Sequence, residues 1–242
     1  MFSNIWHTIF FDPVYNLLVL FIDTVRNGDV GLAIIGTVIV VKMILLPLSV
    51  KAAKTQKIMR EVEPKLKEIK EKHKDDREAQ SRAMMAVYKD VNLNPFASVV
   101  LVFLQIPIII ALYLAVSKGA GVHLPGINSS ILYSFVQVPT NVTMHFLGFI
   151  DIASKSLWLA LLAGATQFIF TNMSMAKLAP RADDAVPNFK DDFARNMQVQ
   201  MKYVMPVLIA FIAYTLSASI ALYFVVSNLV AIAQEFYVRK HR

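Results

Sequence analysis

Three stretches of this chain, 91–117, 156–176 and 203–234, run for 27, 21 and 32 residues without one Asp, Glu, Lys or Arg. A helix needs about 20 apolar residues, at ~1.5 Å each, to cross the ~30 Å hydrocarbon core of a bilayer. A soluble core has no use for uncharged runs of that length. With 56% hydrophobic residues as well, the chain reads as a polytopic membrane protein. Segment 31–50 is equally apolar apart from Lys42, which is a charge inside a span.

The 32-residue run would be ~48 Å long as one helix, too long for one crossing. Charge asymmetry decides how it is used. Segments 51–93, 177–202 and 239–242 carry 12, five and three basic residues, against two, Lys118 and Lys155, between the second and third spans. The positive-inside rule puts the three basic segments in the cytosol. The tail returns there only if the last run crosses twice, turning near 217–219.

The expected fold class is therefore all-α, a multi-pass protein with transmembrane helices at 31–50, 94–117, 156–176, 203–217 and 219–238. Its N-terminus lies outside and its C-terminus in the cytosol. Residues 118–155 form an extracytosolic loop and 177–202 a cytosolic one. Residues 1–30 hold one basic residue, Arg26, and their apolar stretch sets Asp12, Asn16 and Asp23 on one helical face. They read as a helix lying in the outer interface. The basic start and small-residue cleavage site of a signal peptide are missing, and a sixth span is the rival reading.

Segment 51–93 breaks from this pattern, with 12 basic and eight acidic residues among strong helix formers. Met59, Val62, Leu66 and Ile69 recur at helical spacing, as do Met84, Val87 and Val91, which predicts two arms packed along narrow apolar seams. The turn falls at 74–76, and Asp75 with Glu78 resembles a capping box. A connection this long exceeds what joining two spans requires. It reads as a docking surface or a moving part, and its mixed charge does not suit nucleic acid.

Zero cysteines exclude disulfides, thiolate metal sites and cysteine nucleophiles. No HExxH or GxSxG string occurs, and no metal or cofactor is expected. Lys42 lies ~12 Å inside its span, a depth at which a lipid-exposed ammonium costs about 2.5–3.5 kcal/mol unless it snorkels or meets water or a polar group. No Asp or Glu occurs in the first three spans, which argues against proton-coupled transport and aspartyl protease chemistry. The spans instead carry Gln105, Thr166, Gln167, Thr171, Asn172, Tyr223, Ser227 and Asn228. These serve either as hydrogen bonds between helices or, with Lys42, as the lining of a wet cavity. Gln167 with Thr171, and Tyr223 with Ser227, are four apart and share a face.

The order of parts resembles the YidC family of membrane protein insertases and its mitochondrial and chloroplast relatives. The resemblance rests on KMILLPL ending the first span, MMAVYKDVNLNP leading into LQIPIIIALY, QVQMKYVMP opening the fourth span and SASIALYFVVSNL in the fifth. It implies a five-span core around a hydrophilic groove, closed to the outside, with Lys42 at the position of the groove's basic residue. Most bacterial members resemble one another in having arginine there. Lysine keeps the charge but not the planar fork of donors. Phe224 stands where the family often has Trp or Tyr, and the tail after Tyr237 lacks the long basic extension of some members.

The expected function is that of an insertase, not an enzyme, in a bacterial plasma membrane. It would move short hydrophilic tails across the bilayer and release transmembrane segments into lipid. Nascent membrane proteins and membrane lipids are the expected partners, the ribosome and a Sec-type translocon stay open as further ones, and nucleic acid is not a substrate. A small anion transporter or channel, or a membrane scaffold, is the alternative.

Overall fold

The computed structural model describes residues 2–91, 97–117, 121–174 and 189–240. It is mostly helical. Helix α1 (Phe2–Trp6) passes through a π-helical turn (His7–Phe11) into α2 (Asp12–Thr24). There follow α3 (Val30–Lys72), α4 (Arg77–Asp90), α5 (Ala97–Ser117), a two-stranded antiparallel hairpin of β1 (His145–Phe146) and β2 (Ile150–Asp151), α6 (Leu157–Ser174), α7 (Phe189–Leu216) and α8 (Ala218–Lys240).

Among the described residues, Asn4–Thr24, Leu157–Ser174, Val199–Leu216 and Ala218–Val238 are long and apolar enough to cross a bilayer. Val30–Ile44 and Leu46–Met59, taken together, make a fifth, and Phe103–Ser117 is a shorter apolar helix. The chain is a multi-pass membrane protein. Asn4–Thr24 has the length and composition of a span, although its polar positions suggest an interfacial helix. Segment 177–202, expected as a loop, is helical from Phe189, because strong helix formers carry α7 beyond the uncharged run.

Two compact units divide the chain, one of residues Met1–Met43 with Pro107–Arg242 and one of Ile44–Ile106. In the second, α3 continues from its apolar part into the charged arm without a boundary at 50. The seam residues Leu66 and Val87 are buried, and Met59, Val62, Ile69, Met84 and Val91 are half-buried. The cap of α4 is Asp76, whose side chain accepts from the Glu78 and Ala79 amides at 3.0 and 2.9 Å, so Asp75 belongs to the turn. The Gln80 amide closes the hairpin by donating to the Lys70 carbonyl at 3.1 Å. The ion pairs Lys57–Glu61, Lys67–Glu63 and Arg82–Glu78 are exposed, each worth about 0.3–0.5 kcal/mol.

The first unit is organised by loop residues 121–155. Asp29, which is buried, caps α3 by accepting from the Gly31 and Leu32 amides at 2.8 and 3.1 Å. Its second oxygen accepts from the Leu147 amide at 2.8 Å. The Val30 amide donates to Thr143, and the Thr143 amide to Gly28. Gly28 has φ +64, and a Cβ there would stand 1.9 Å from the Asn141 carbonyl oxygen, so only glycine fits.

On α2, the Tyr15 hydroxyl accepts from the Asn128 amide at 2.8 Å. Asn16 donates to the Ile131 carbonyl at 2.9 Å and accepts from the Tyr133 amide at 2.6 Å. It is therefore buried, whereas Asp12 is half-buried and Asp23 exposed. The Ser154 and Ile152 carbonyls accept from the Ala218 and Ser219 amides, which caps α8. The Ser154 hydroxyl does most to hold the Asp151 carboxyl below the ordinary carboxylate range, with the Ala153 amide and His145 adding to it against an opposing effect of burial.

Replacing Asp29 by alanine should cost about 2 kcal/mol, since a cap is lost and a third amide is left without its acceptor. The thermal midpoint in detergent should fall, with faster amide exchange at Gly31 and Leu147. Asn at this position, which keeps one acceptor oxygen, should lose less. An unchanged midpoint for Asp29→Ala would remove the Asp29 tie from this account.

Candidate functional site

Helical register in α3 sets the direction of Lys42. Ile34, Val38 and Lys42 are spaced by four and share a face, and Ile34 and Val38 are 0% and 3% exposed in the core of the first unit. Lys42 therefore continues the inward stripe, while the neighbouring Met43, 64% exposed, does not. Lys42 is half-buried at the last turn of α3 that belongs to this unit.

Helices α6 and α8 pack along a polar seam. Asn228, buried on α8, donates to the Thr166 hydroxyl at 3.3 Å and to the Ala163 carbonyl at 3.4 Å. Thr166 itself lies 2.9 Å from the Leu162 carbonyl one turn back. In apolar surroundings an unmade hydrogen bond costs about 1–3 kcal/mol, so this pair fixes how the two helices meet. Gln167 donates to the buried Thr171 hydroxyl at 3.1 Å. Gly164 lets α7 approach α6 on another side, for a Cβ there would meet the Ala210 Cβ at 3.0 Å and the Pro206 carbonyl oxygen at 3.1 Å.

Two hydroxyls stand out. The Tyr223 side chain is 2% exposed and packed edge-on to Phe224, and its hydroxyl, on which the Ser227 hydroxyl one turn on acts, makes no hydrogen bond of ordinary geometry to a described residue. Ser227, one turn on, is also buried. The Ser174 hydroxyl is in the same position as that of Tyr223, buried and unbonded among the described residues. A hydroxyl so placed can take a hydrogen bond from water or from a visiting polar group, and gains from it what the protein does not provide.

Of the residues singled out in the sequence, Thr166 and Asn228 meet directly, as do Gln167 and Thr171. Tyr223 and Ser227 share a buried face of α8, whereas Asn172 points outward and is exposed. Gln105 is half-buried and belongs to the second unit. Sequence reasoning passed over Ser174, although it follows Thr171 by three positions on the face that Gln167 and Thr171 share. Among the described residues no group of three His, Cys, Asp or Glu is placed to hold a metal ion.

These roles separate in mutants. Tyr223→Phe removes a hydroxyl that bonds to no described residue and should leave thermal stability unchanged or raise it by up to about 1 kcal/mol. Asn228→Ala should lose about 1–2 kcal/mol. Chemical denaturation of the two variants in the same detergent checks the contrast, and equal losses would mean that Tyr223 is as much a structural bond as Asn228.

A family model described as 60Kd inner membrane protein matches residues 21–242. The membrane protein insertase YidC of Clostridium tetani is 32% identical over 219 residues, covering 90% of this chain and 86% of that protein. The protein of the same name from Oceanobacillus iheyensis is 30% identical over 242 residues, covering 98% and 85%. That from Pelobacter propionicus is 30% identical over 239 residues, and there the chain spans 39% of a longer relative.

Proposed function

The chain belongs to the 60Kd inner membrane protein family, and on that premise we propose that it is a membrane protein insertase, which moves short hydrophilic tails across the bilayer and releases transmembrane segments into lipid. The observation that carries the reading is the family match, which runs from α2 to the end of the chain. Its substrates are nascent membrane proteins. No covalent bond is made or broken.

The physics is that of a locally shortened membrane. A polar segment crossing unaided must bring its polar side chains, and where it is not helical its backbone amides, into hydrocarbon without partners, at several kcal/mol each. A groove holding Lys42 and hydroxyls such as those of Tyr223 and Ser227 replaces part of that path with hydrogen-bonding groups and water. Thr166, Gln167, Thr171 and Asn228 belong to its walls in this reading. The positive charge adds attraction for acidic tails. Two unit charges 4 Å apart gain about 4 kcal/mol at an effective dielectric near 20, against about 1 in bulk water. The substrate's own apolar span then completes transfer into lipid.

In this reading the membrane is the bacterial plasma membrane, the N-terminus and loop 118–155 lie outside, and the hairpin and Arg242 lie in the cytosol. The first helices rest in the outer interface. The 51–93 hairpin faces incoming chains, and a ribosome or a Sec-type translocon is a further partner on that side. Expression of the chain should restore growth to a bacterium depleted of its own insertase.

Lys42 carries the electrostatic part. Insertion yields should be compared for two substrates that differ only in tail acidity. Lys42→Arg should retain insertion of both, while Lys42→Gln should lower the yield of the acidic-tailed substrate about five- to tenfold, near 1–1.4 kcal/mol. Lys42→Glu should lower it further, and the neutral tail should be less affected throughout. Equal yields for all variants on both substrates would remove the charge from the mechanism.

A further inference from the structure

Between Lys118 and Asp151 the chain carries no charged residue, although 121–150 lies outside every helix long enough to span. An exposed loop bathed in water ordinarily carries charge, as the 51–93 arms do. This one instead presents aromatic and aliphatic side chains. Phe149 is 72% exposed, Phe135 70% and Leu147 56%. Leu147 has φ +53, a left-handed conformation that turns normally assign to Gly, Asn or Asp. A large apolar side chain thus occupies a strained position at the hairpin tip without burying itself in the protein.

The tip is held firmly. The Leu147 amide is bound to Asp29, and Phe146 beside it is buried against Gly31. The strand that leaves the tip ends on the span termini, with the Ile152 and Ser154 carbonyls capping α8. Helix α6 starts three residues after Ser154, and its first turn exposes Leu157 and Trp158, the latter at 79%. Tryptophan at the first turn of a span is characteristic of the headgroup level. The exposed tip therefore lies in a loop tied to the helix ends where spans enter the membrane.

We propose that the apolar side chains this loop exposes, Leu147 and Phe149 at the hairpin tip and Phe135 earlier in the loop, are a lipid-binding surface that enters the acyl boundary of the leaflet at which α6 begins. The occupant is lipid rather than a protein partner, because the patch carries no charge for specific recognition and its loop is tied to the helix ends and leads in sequence into a span whose first turn exposes Leu157 and Trp158. Phospholipid tails cover Leu147 and Phe149, and the Asp29 tie passes that anchorage to the start of α3. The inference does not rest on the insertase reading.

The chain has no cysteine, so single labels are unambiguous. The full protein, carrying a nitroxide on Leu147→Cys, Phe149→Cys or Phe135→Cys, is reconstituted alone into phosphatidylethanolamine and phosphatidylglycerol vesicles. Ser81→Cys on α4 is the aqueous reference. The three exposed positions give up little packing, so folding is retained. Their labels should collide with oxygen several-fold more often, and with a water-soluble nickel chelate several-fold less often, than the Ser81 label. Nickel collisions equal to those at Ser81 would overturn the proposal. So would shielding from both reagents, which would mean contact with protein.

Discussion

Asp29 joins parts of the chain that are more than a hundred residues apart. One carboxylate starts α3 by capping two of its amides and holds the amide of Leu147 with its other oxygen. Around that tie the loop reaches α2 through Tyr15 and Asn16 and reaches α8 through the carbonyls of Ile152 and Ser154. A helix terminus leaves amides without partners, and near a membrane water cannot be relied on to satisfy them. Loop 121–155 supplies those partners for two helices at once. Its backbone does structural work that a solvent-exposed connection would not.

With these helix ends fixed, polar groups can be held inside the unit at defined positions. The α6 and α8 seam is satisfied by Asn228 and Thr166, which sets the register of the two helices, and Gly164 sets the approach of α7. Tyr223 and Ser174 keep buried hydroxyls that bond to no described residue. Lys42 continues the inward stripe of α3. The same helices thus carry hydrogen-bonded polar side chains and buried hydroxyls without such bonds.

The sequence made the helical, multi-pass fold legible because uncharged runs of 20 residues and more have few other uses. Helical spacing also picked out the hairpin seam from Met59 to Ile69 and from Met84 to Val91, residues that are buried or half-buried. What it missed depended on distant partners. Asn16 looks like a polar interfacial position by periodicity, yet backbone groups of Ile131 and Tyr133, 115 and 117 residues away, bury it. Asp29 drew no attention for the same reason. The cap moved from Asp75 to Asp76 because one residue decides which carboxylate reaches the first free amides of α4. At the site, spacing named Gln167 with Thr171 and Tyr223 with Ser227, but it could not tell satisfied groups from unsatisfied ones.

The central claim is that this chain alone lowers the barrier for moving a hydrophilic tail across a bilayer. The direct measurement is insertion of a short single-span substrate into vesicles that hold only the purified protein, read by protease protection of the translocated tail. The account predicts protection well above that of protein-free vesicles, rising with the amount of protein reconstituted. Protection no greater than in protein-free vesicles, from protein shown to be folded, would contradict it.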